Sequence, residues 1–289
     1  MRPVLLATCA DLPAGDEDAA ALTEALARAG VEARWSVWDD PDVRWDDAPV
    51  VLRSTWDYHA RLPRFLAWTA SVPHLHNRAE IVAWNTDKRY LADLAAAGVP
   101  TVPSVFAAPG EQVTLPDSDF VVKPSVGAGS RGAGRFSPAT AAAATAHAAD
   151  LHAAGRTVLV QPFLHGVDTA GETALLYAGG RFSHAIRKGP MLTADTAHPV
   201  SGASLFVAEN ITPREPGDDE LAVGARALAH VRERFGHDPL YARVDLLPTD
   251  GGPVVTELEL VEPSWFLGYD ERSADRFAAA VSDAIVTVG

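Results

Sequence analysis

Short apolar segments alternate with amphipathic ones along the first 85 residues of the chain. The apolar segments predict three strands, at residues 3–8, 31–38 and 49–52. The first amphipathic segment, residues 16–29, carries Leu22 and Leu26 at helical spacing and ends at Gly30, a common helix terminator. A further helix is predicted at residues 62–70. Strands that alternate with helices in this way are typical of a small α/β unit with a parallel sheet.

Beyond residue 85 the apolar segments follow one another with fewer helices between them. Amphipathic or alanine-rich segments predict four helices, at residues 87–97, 138–154, 218–235 and 273–286. Apolar segments predict seven strands, at residues 120–123, 134–136, 157–160, 173–177, 182–186, 240–247 and 254–260. The strands at 120–123 and 134–136 are predicted to form a hairpin, and the C-terminal part is predicted to be α+β. The change of pattern divides the chain into three units, 1–85, 86–160 and 161–289.

The composition is that of a globular protein with an acidic surface. The hydrophobic fraction of 47% is enough for buried cores, and the net charge of −14 argues against nucleic acid as a partner. Cys9 is the only cysteine, which excludes an intrachain disulfide, and we predict that it is buried with the first strand. No apolar segment approaches the ~18–20 residues needed to cross a bilayer, and acidic residues interrupt the region where a signal peptide would be apolar. We therefore expect a cytoplasmic protein without a membrane partner.

Lysine is rare in this chain, so each lysine is informative. Of the 24 basic residues, only Lys88, Lys123 and Lys188 are lysines. Lys123 ends a predicted strand and leads directly into the small-residue loop 125–132. Glycines in such a loop expose backbone N–H groups and an ammonium group acts as a compact point charge, which suits polyphosphate. The alternative for any single lysine is that it was retained by chance in an arginine-rich composition.

The same loop matches the dinucleotide-binding pattern G-x-G-x-x-G, from Gly127 to Gly132. That pattern indicates a dinucleotide site only where a helix opens directly from the loop. Here a strand is predicted first, and the helix begins after Ser137. We therefore interpret the loop as a connection between two strands and not as a dinucleotide site.

Three carboxylates on two predicted neighbouring strands form the strongest cluster in the sequence. Glu257 and Glu259 project from the same face of one strand, because residues two apart in a strand point the same way. Antiparallel pairing with the strand 240–247 would place Asp245 beside them, with Arg243 on the same face. Three such carboxylates repel one another unless cations hold them, and Mg²⁺ together with nucleotide phosphates is the natural solution. The alternative is that Glu257 and Glu259 line a solvated strand face.

A polar cluster follows the third predicted strand, at the edge where a parallel sheet gathers its binding groups. Its members are Arg53, Ser54, Thr55, Trp56, Asp57 and Tyr58. We predict that this cluster binds the substrate, with Arg53 pairing with a carboxylate and Asp57 with an ammonium group. The alternatives are that Arg53 and Asp57 pair with each other as a structural clamp, and that Trp56 belongs to the core.

Taken in order, these segments resemble the ATP-grasp superfamily of ligases between residues 85 and 270. The resemblance is carried by Asn85-Thr-Asp-Lys88, Lys123 before the glycine loop, Val160-Gln-Pro-Phe-Leu164, Arg243-x-Asp245 and Glu257-x-Glu259. It implies a three-subdomain architecture with the nucleotide between two sheets, and it implies ATP and Mg²⁺ as cofactors. Glu259 departs from the family pattern, because the corresponding position is often asparagine, and the extra carboxylate adds negative charge.

The resemblance also implies roles for individual residues. ATP would be bound by Lys88, Lys123, Ser125, Gly127, Gly129, Ser130, Gln161, Pro162, Phe163 and Leu164, with Asp168 at the position of a ribose contact. Mg²⁺ would be bound by Asp245, Glu257 and Glu259, and the reacting groups would be contacted by Arg243, Arg187 and Lys188. ATP would phosphorylate a carboxylate, which an amine would then attack. Glu172 lies in a segment whose role varies within the superfamily.

Four further segments resemble the actinobacterial ATP-grasp ligases of D-cycloserine biosynthesis, the O-ureido-D-serine cyclo-ligases. These segments are residues 8–12, 38–41, 53–58 and 84–90. The likeness implies that a small amino-acid-like carboxylate is activated and then closed into a ring by an internal nitrogen. Two alternatives remain open, an intermolecular amino-acid or dipeptide ligase and a nucleotide-binding regulatory protein without catalysis. A homodimeric state is also left open.

Overall fold

Three β-sheets organise the chain in the computed structural model, which describes residues 1–127, 129, 131–190, 192 and 210–286. The first sheet is parallel, and the second and third are antiparallel. This combination confirms the predicted change from α/β to α+β along the chain. Within the described ranges, no helix is both long and apolar enough to cross a membrane.

The N-terminal sheet has the strand order β2-β1-β3-β4. Its strands are β1 (Arg2–Thr8), β2 (Val31–Val37), β3 (Val50–Ser54) and β4 (Leu75–His76), and its helices are α1 (Ala19–Arg28) and α2 (Leu62–Ser71). Most of β1 and all of β3 are buried, as continuous apolar sequences predict for the centre of a parallel sheet. Cys9 directly follows β1 and is buried, as predicted.

The central sheet has the strand order β5-β8-β6-β7. Its strands are β5 (Val105–Ala107), β6 (Phe120–Pro124), β7 (Gly134–Phe136) and β8 (Val158–Pro162). Helix α5 (Ala141–Ala153) packs on the sheet and follows a capping box between Ser137 and Thr140. Strand β8 continues past residue 160, where the sequence suggested a boundary, because Gln161 and Pro162 still pair with β6.

The C-terminal sheet has the strand order β11-β10-β9-β12-β13. Its strands are β9 (Glu172–Ala178), β10 (Arg181–Lys188), β11 (Ile211–Arg214), β12 (Tyr241–Leu247) and β13 (Val254–Glu259). Helix α7 (Asp218–Phe235) packs on one face, and α8 (Ser273–Val286) packs between the other face and α1. A short helix, α6 (Gly166–Ala170), joins β8 to β9. The face that α8 covers is apolar at one end, which leaves the other end of the same face for charged residues.

Two short helices, α3 (Ala79–Asn85) and α4 (Tyr90–Ala96), follow the first sheet and pack on the third. Asn85 anchors α3 to the edge strand, since its Nδ2 donates to the carbonyl oxygen of Leu258 at 2.8 Å. The predicted helix at residues 87–97 corresponds to α4, whereas α3 was not predicted from the sequence. The connection between α3 and α4 brings Lys88 beside β13.

Candidate active site

Two adjoining cavities lie along the charged end of the C-terminal sheet. The first, of about 190 Å³, lies between this sheet and the central sheet. The second, of about 550 Å³, lies between this sheet and the N-terminal unit. The residues that line both cavities are Lys88, Gly127, Gly129, Arg131, Arg243, Glu257 and Glu259. The cavities therefore meet over a common floor, which is formed by the charged side chains of Arg243 on β12, Glu257 and Glu259 on β13, and Lys88 and Arg131 beside them. Glu172 on β9 and Lys188 on β10 extend this floor beneath the first cavity.

The register of the strands builds this floor. The directly opposed pairs are Asp245 with Glu257, Arg243 with Glu259, and Glu172 with Lys188. Opposed residues of antiparallel strands point to the same face, so these side chains lie side by side. The sequence predicted that antiparallel pairing would bring Asp245 to Glu257 and Glu259, and the register confirms it.

Asp245 is the centre of a buried ion network, with only 1% of its side chain exposed. Arg243 Nε donates to its Oδ1 at 2.9 Å, and Lys188 Nζ donates to its Oδ2 at 2.7 Å. Arg243 also pairs with Glu259, and Lys188 also pairs with Glu172. Burial alone would raise the pKa of Asp245, but Arg243 and Lys188 lower it below its ordinary value. The carboxylate is therefore held in its ionised form between two cations.

Lys88, in the connection between α3 and α4, lies at the edge of the floor beside β13. Its Nζ lies 2.9 Å from Oε1 of Glu257 and donates to the carbonyl oxygen of Gly127 at 3.0 Å. Its backbone N–H donates to the carbonyl oxygen of Ser125 at 2.8 Å. Burial opposes ionisation of Glu257, but Lys88 and then Lys123 lower its pKa. Lys88 thus ties the loop after β6 to the carboxylates of β13.

The three carboxylates predicted to hold Mg²⁺ are each paired with a lysine or arginine of this chain. Within the part of the chain that the structure describes, no group of three or more His, Cys, Asp or Glu residues could hold a metal ion. Protein cations thus supply part of the neutralisation that the sequence interpretation assigned to metal ions alone. Burial, with Asp245 and Glu257 nearby, raises the pKa of Glu259 to about 7 despite Arg243.

Lys123 lines the first cavity from β6, and its ammonium group makes no hydrogen bond or ion pair with any residue in the described ranges. Burial lowers the pKa of its ammonium group, and the nearby Glu257 offsets this only in part. A phosphate group beside Lys123 would compensate for the lost hydration. Lys123 is therefore a cation available to an anionic ligand.

The loop after β6 covers both cavities. Gly127 and Gly129 line them, and Gly129 has a φ of 62°, in the left-handed region that favours glycine. Ser125 is buried at the base of the loop. Arg131, at its far end, faces both cavities. Ser130, a predicted ATP contact, lies outside the described residues.

The end of β8 and the residues after it form one wall of the first cavity. The predicted nucleotide segment lines this wall with Gln161, Pro162, Phe163 and Leu164. Asp168, predicted at the position of a ribose contact, lines neither cavity and forms an ion pair with Arg135 at 3.2 Å. Its neighbour Val167 lines the first cavity in its place.

Aromatic and acidic side chains line the second cavity. The N-terminal unit contributes Asp16, Glu17, Trp56 and Tyr58, and the segment after β13 contributes Glu262, Phe266 and Tyr269. Trp56 Nε1 donates to the carbonyl oxygen of Glu262 at 2.9 Å and so joins the two walls. A small molecule in this cavity would meet cations at the floor and carboxylates and aromatic rings at the walls.

Comparisons with known proteins agree with this geometry. The N-terminal domain family of the D-cycloserine synthetase DcsG matches residues 4–79. The cycloserine biosynthesis protein DcsG of Streptomyces lavendulae is 39% identical, over 93% of this chain and 94% of that protein. The crystal structure of D-cycloserine synthetase DcsG superposes with a TM-score of 0.87 and 37% identity, over 98% of this chain and 99% of that chain. The chain belongs to the D-cycloserine synthetase family.

Members of this family share the ATP-grasp fold with more distant ligases. The ATP-grasp ligase PsnB, in complex with its minimal precursor, Mg and ADP, superposes with a TM-score of 0.59 and 19% identity. The match covers 98% of this chain and 97% of that chain. The predicted ATP-grasp fold is thereby confirmed, and this D-cycloserine synthetase family member is an ATP-dependent ligase.

Arg187 does not reach the floor of the candidate active site. Neighbouring residues of a strand point to opposite faces, so Arg187 cannot share the face of Lys188. Its Nε donates instead to the carbonyl oxygen of Ala170 at 2.6 Å, and it lines neither cavity. The prediction that Arg187 contacts the reacting groups is contradicted, whereas Lys188 and Arg243 both line the first cavity.

Arg53 is buried beneath the second cavity and does not face it. Its side chain is 0% exposed, and its Nη2 donates to Oδ2 of Asp16 at 2.9 Å. Its Nη1 donates to the carbonyl oxygen of Pro263 at 3.1 Å, and its guanidinium lies 3.8 Å from the ring centre of Trp265. The predicted contact with a substrate carboxylate is contradicted, because protein groups enclose the guanidinium.

The rest of the predicted substrate cluster divides between the cavity wall and the interior. The residues on the wall are Trp56 and Tyr58, and the fully buried ones are Ser54 and Thr55. Asp57 lines neither cavity, since it accepts a hydrogen bond from Trp38 Nε1 at 2.8 Å and pairs with Arg61. The ammonium site predicted at Asp57 is therefore contradicted, and so is the alternative clamp between Arg53 and Asp57.

Sequence reasoning missed the acidic residues on the walls of the second cavity. Asp16, Glu17 and Glu262 each follow the carboxyl end of a strand, β1 or β13. Position after a strand is the signal that could have found them, because such ends gather binding groups. Glu262 is the clearer case, since it lies only three residues beyond Glu259, the last residue of β13.

Lys123→Ala will weaken ATP binding by roughly 10- to 150-fold, because a charge-assisted hydrogen bond contributes about 1.5–3 kcal/mol. Lys123→Arg will restore only part of the affinity, since a planar guanidinium does not fit a position shaped for a point charge. Calorimetric titration with ATP measures both effects, and a melting curve establishes that each variant is folded. Unchanged ATP affinity in folded Lys123→Ala would contradict the assignment.

Proposed function

We propose that this ATP-dependent ligase phosphorylates the carboxylate of O-ureido-D-serine and closes the activated molecule into D-cycloserine. The observation that carries the proposal is the common floor of the two cavities. A nucleotide in the first cavity and an amino acid in the second would present their reacting groups to the same side chains. Holding two reactants in this way is a large part of phosphoryl-transfer catalysis.

The first cavity supports nucleotide binding. Lys123 and Lys88 would contact the phosphates, and the backbone N–H groups of Gly127 and Gly129 would add hydrogen bonds. The wall at residues 161–164 would hold the base, since it combines apolar and amide groups.

Arg243 and Lys188 would stabilise the phosphoryl group during its transfer. Both line the first cavity, and Arg243 also lines the second, where the substrate carboxylate would lie. Asp245 bonds to both cations and keeps them in position. Cations fixed before the reaction stabilise the developing charge without the cost of reorganisation.

Glu257 and Glu259 fit a magnesium ion better than Asp245 does. Their side chains are 28% and 25% exposed and border both cavities, whereas Asp245 is enclosed and already bonded by two cations. Carboxylate oxygens are preferred ligands of Mg²⁺, and a divalent ion would stabilise the ionised form of Glu259 against the burial and the nearby carboxylates that raise its pKa. Mg²⁺ at Glu257 and Glu259 would neutralise phosphate charge, while Asp245 serves as the anchor of Arg243 and Lys188.

Ring closure requires a defined balance of atoms. A carboxylate oxygen of the substrate takes the terminal phosphoryl group of ATP, and ADP leaves. The nitrogen bonded to the side-chain oxygen then attacks the carbonyl carbon, and phosphate leaves. The carbamoyl group departs, with one water, as carbon dioxide and ammonia. The product is therefore lighter than the substrate by those two molecules.

Mass spectrometry combined with an ADP assay tests this function. The protein incubated with Mg²⁺, ATP and O-ureido-D-serine will release ADP and form the lighter, cyclic product. A product that joins two substrate molecules would identify an intermolecular ligase instead. If O-ureido-D-serine releases no ADP, either another amino acid in a screen will replace it as the substrate, or the protein binds nucleotide without this reaction.

We retain the predictions that the reaction takes place in the cytoplasm and that the protein can form a homodimer. We also retain the prediction that neither nucleic acid nor a membrane takes part, which the net charge of −14 supports for nucleic acid.

A further inference from the structure

Glu262 differs from three other carboxylates around the second cavity. The carboxylates with a cationic partner are Asp16, Glu257 and Glu259, which pair with Arg53, Lys88 and Arg243. Glu262 lines the same cavity, but no residue that the structure describes donates a hydrogen bond to its carboxylate or forms an ion pair with it. Burial, with Glu259 nearby, raises the pKa of Glu262 well above its ordinary value, so a cationic group of a ligand would stabilise its ionised form.

The backbone at Glu262 is held against the N-terminal unit. Trp56 Nε1 donates to the carbonyl oxygen of Glu262 at 2.9 Å, and Arg53 Nη1 donates to the carbonyl oxygen of Pro263 at 3.1 Å. Arg53 is itself enclosed, so this attachment is rigid. The carboxylate of Glu262 is therefore carried by a backbone that is positioned before any ligand binds.

Phe266, in the same wall, has a φ of 50°, which is unfavourable for a residue with a Cβ atom. Asp18 holds this conformation by accepting hydrogen bonds from the backbone N–H groups of Trp265 and Leu267, at 3.1 and 2.8 Å. Strained backbone that is held in this way is typical of binding sites. The turn presents the aromatic ring of Phe266 to the cavity that Glu262 also lines.

The charges of an amino acid match the charges of this cavity. Lys88, Arg131 and Arg243 lie at the floor shared with the first cavity, where the substrate carboxylate must meet the phosphoryl group. Glu262 lies on the wall of the second cavity alone. We infer that Glu262 binds the α-ammonium group of the substrate, so that it selects amino acids over carboxylic acids that lack an amine. Aromatic rings of the same wall, such as Trp56, add favourable contacts with the ammonium group. This assignment rests on the proposed function.

A des-amino analogue of O-ureido-D-serine isolates the contact between Glu262 and the ammonium group. The wild-type protein will bind the amino acid about 10- to 150-fold more tightly than the analogue, the range expected for one charge-assisted hydrogen bond. In Glu262→Gln this preference will fall to a few-fold, because the ammonium group of the amino acid loses its carboxylate partner and the analogue has no such group to lose it. Glu262→Asp, which keeps the charge on a shorter side chain, will retain part of the preference. Calorimetry with both ligands measures the four dissociation constants needed for each comparison.

Matched variants distinguish binding of the ammonium group from a structural role. Glu271→Gln makes the same change at an exposed position outside both cavities and should leave the preference unchanged. An unchanged preference in Glu262→Gln, or an equal loss of affinity for both ligands, would overturn the inference. So would loss of the preference in Glu17→Gln while Glu262→Gln retains it.

Failure of the Glu262 assignment can be distinguished from failure of the proposed function. Wild-type turnover of O-ureido-D-serine is measured in the same series. Cyclic product from the wild type together with an unchanged preference in Glu262→Gln overturns only the assignment of Glu262. Absence of turnover by the wild type overturns the proposed function and the ammonium assignment that rests on it.

Discussion

Asp245→Asn will lower the rate of ADP formation by about 10²–10³-fold, the effect of removing one preorganised electrostatic group from an active site. Asparagine has nearly the same shape but no charge, so Arg243 and Lys188 lose the carboxylate that holds them at 2.9 and 2.7 Å. Glu259 and Glu172 still pair with these two cations, so we expect the fold to persist. Steady-state kinetics with the carboxylate substrate and a melting curve measure the two effects separately.

The requirement for Mg²⁺ separates the role of Asp245 from that of Glu257. Glu257 borders both cavities and Asp245 is enclosed, so Glu257→Gln should raise the Mg²⁺ concentration for half-maximal activity and Asp245→Asn should not. Asp250→Asn makes the same change at the exposed turn between β12 and β13 and should behave as the wild type. A raised Mg²⁺ requirement in Asp245→Asn would show that Asp245 binds the metal ion directly. Near-normal turnover of Asp245→Asn would contradict the role of Asp245 as the anchor of Arg243 and Lys188.

Arg53→Ala will reduce the free energy of unfolding by about 3–5 kcal/mol, the cost of breaking a buried ion pair on one side. Asp16, whose side chain is 2% exposed, would keep its charge without a cation. The carbonyl oxygen of Pro263 would lose a donor, and Trp265 would lose the guanidinium stacked on its ring. The contacts of Arg53 with the segments around Asp16 and Pro263 would therefore be lost. The urea concentration at the midpoint of unfolding should fall accordingly.

Arg44→Ala is the matched control for Arg53→Ala in the same unit. Arg44 pairs with Asp47, but their side chains are 72% and 56% exposed, so the loss should not exceed about 1 kcal/mol. Urea unfolding followed by tryptophan fluorescence compares the two variants with the wild type. Normal unfolding of Arg53→Ala with a selective loss of substrate affinity would contradict the structural role and restore the predicted contact with a carboxylate.

Local patterns along the chain were sufficient for the type of each sheet and for the charged floor of the site. The alternation of apolar segments with helices predicts a parallel first sheet, and directly connected strands predict antiparallel pairing later. The spacing of Glu257 and Glu259 places both on one face, because the period of a strand is two residues. Lys123 can also be recognised from local sequence, since it joins a half-buried strand to a glycine-rich loop. These features depend on residues close together in sequence.

Which polar side chains face the cavities depends on contacts between distant parts of the chain. Arg53 is enclosed by Asp16 and by Pro263, which lies 210 residues further along. Arg187 and Lys188 are adjacent, yet the side of the sheet that each one faces determines which of them reaches the site. Glu262 lies in the second cavity only because its segment is bonded to the N-terminal unit. Burial and ion pairing of a charged group depend on what packs against it, and that is a property of the folded chain.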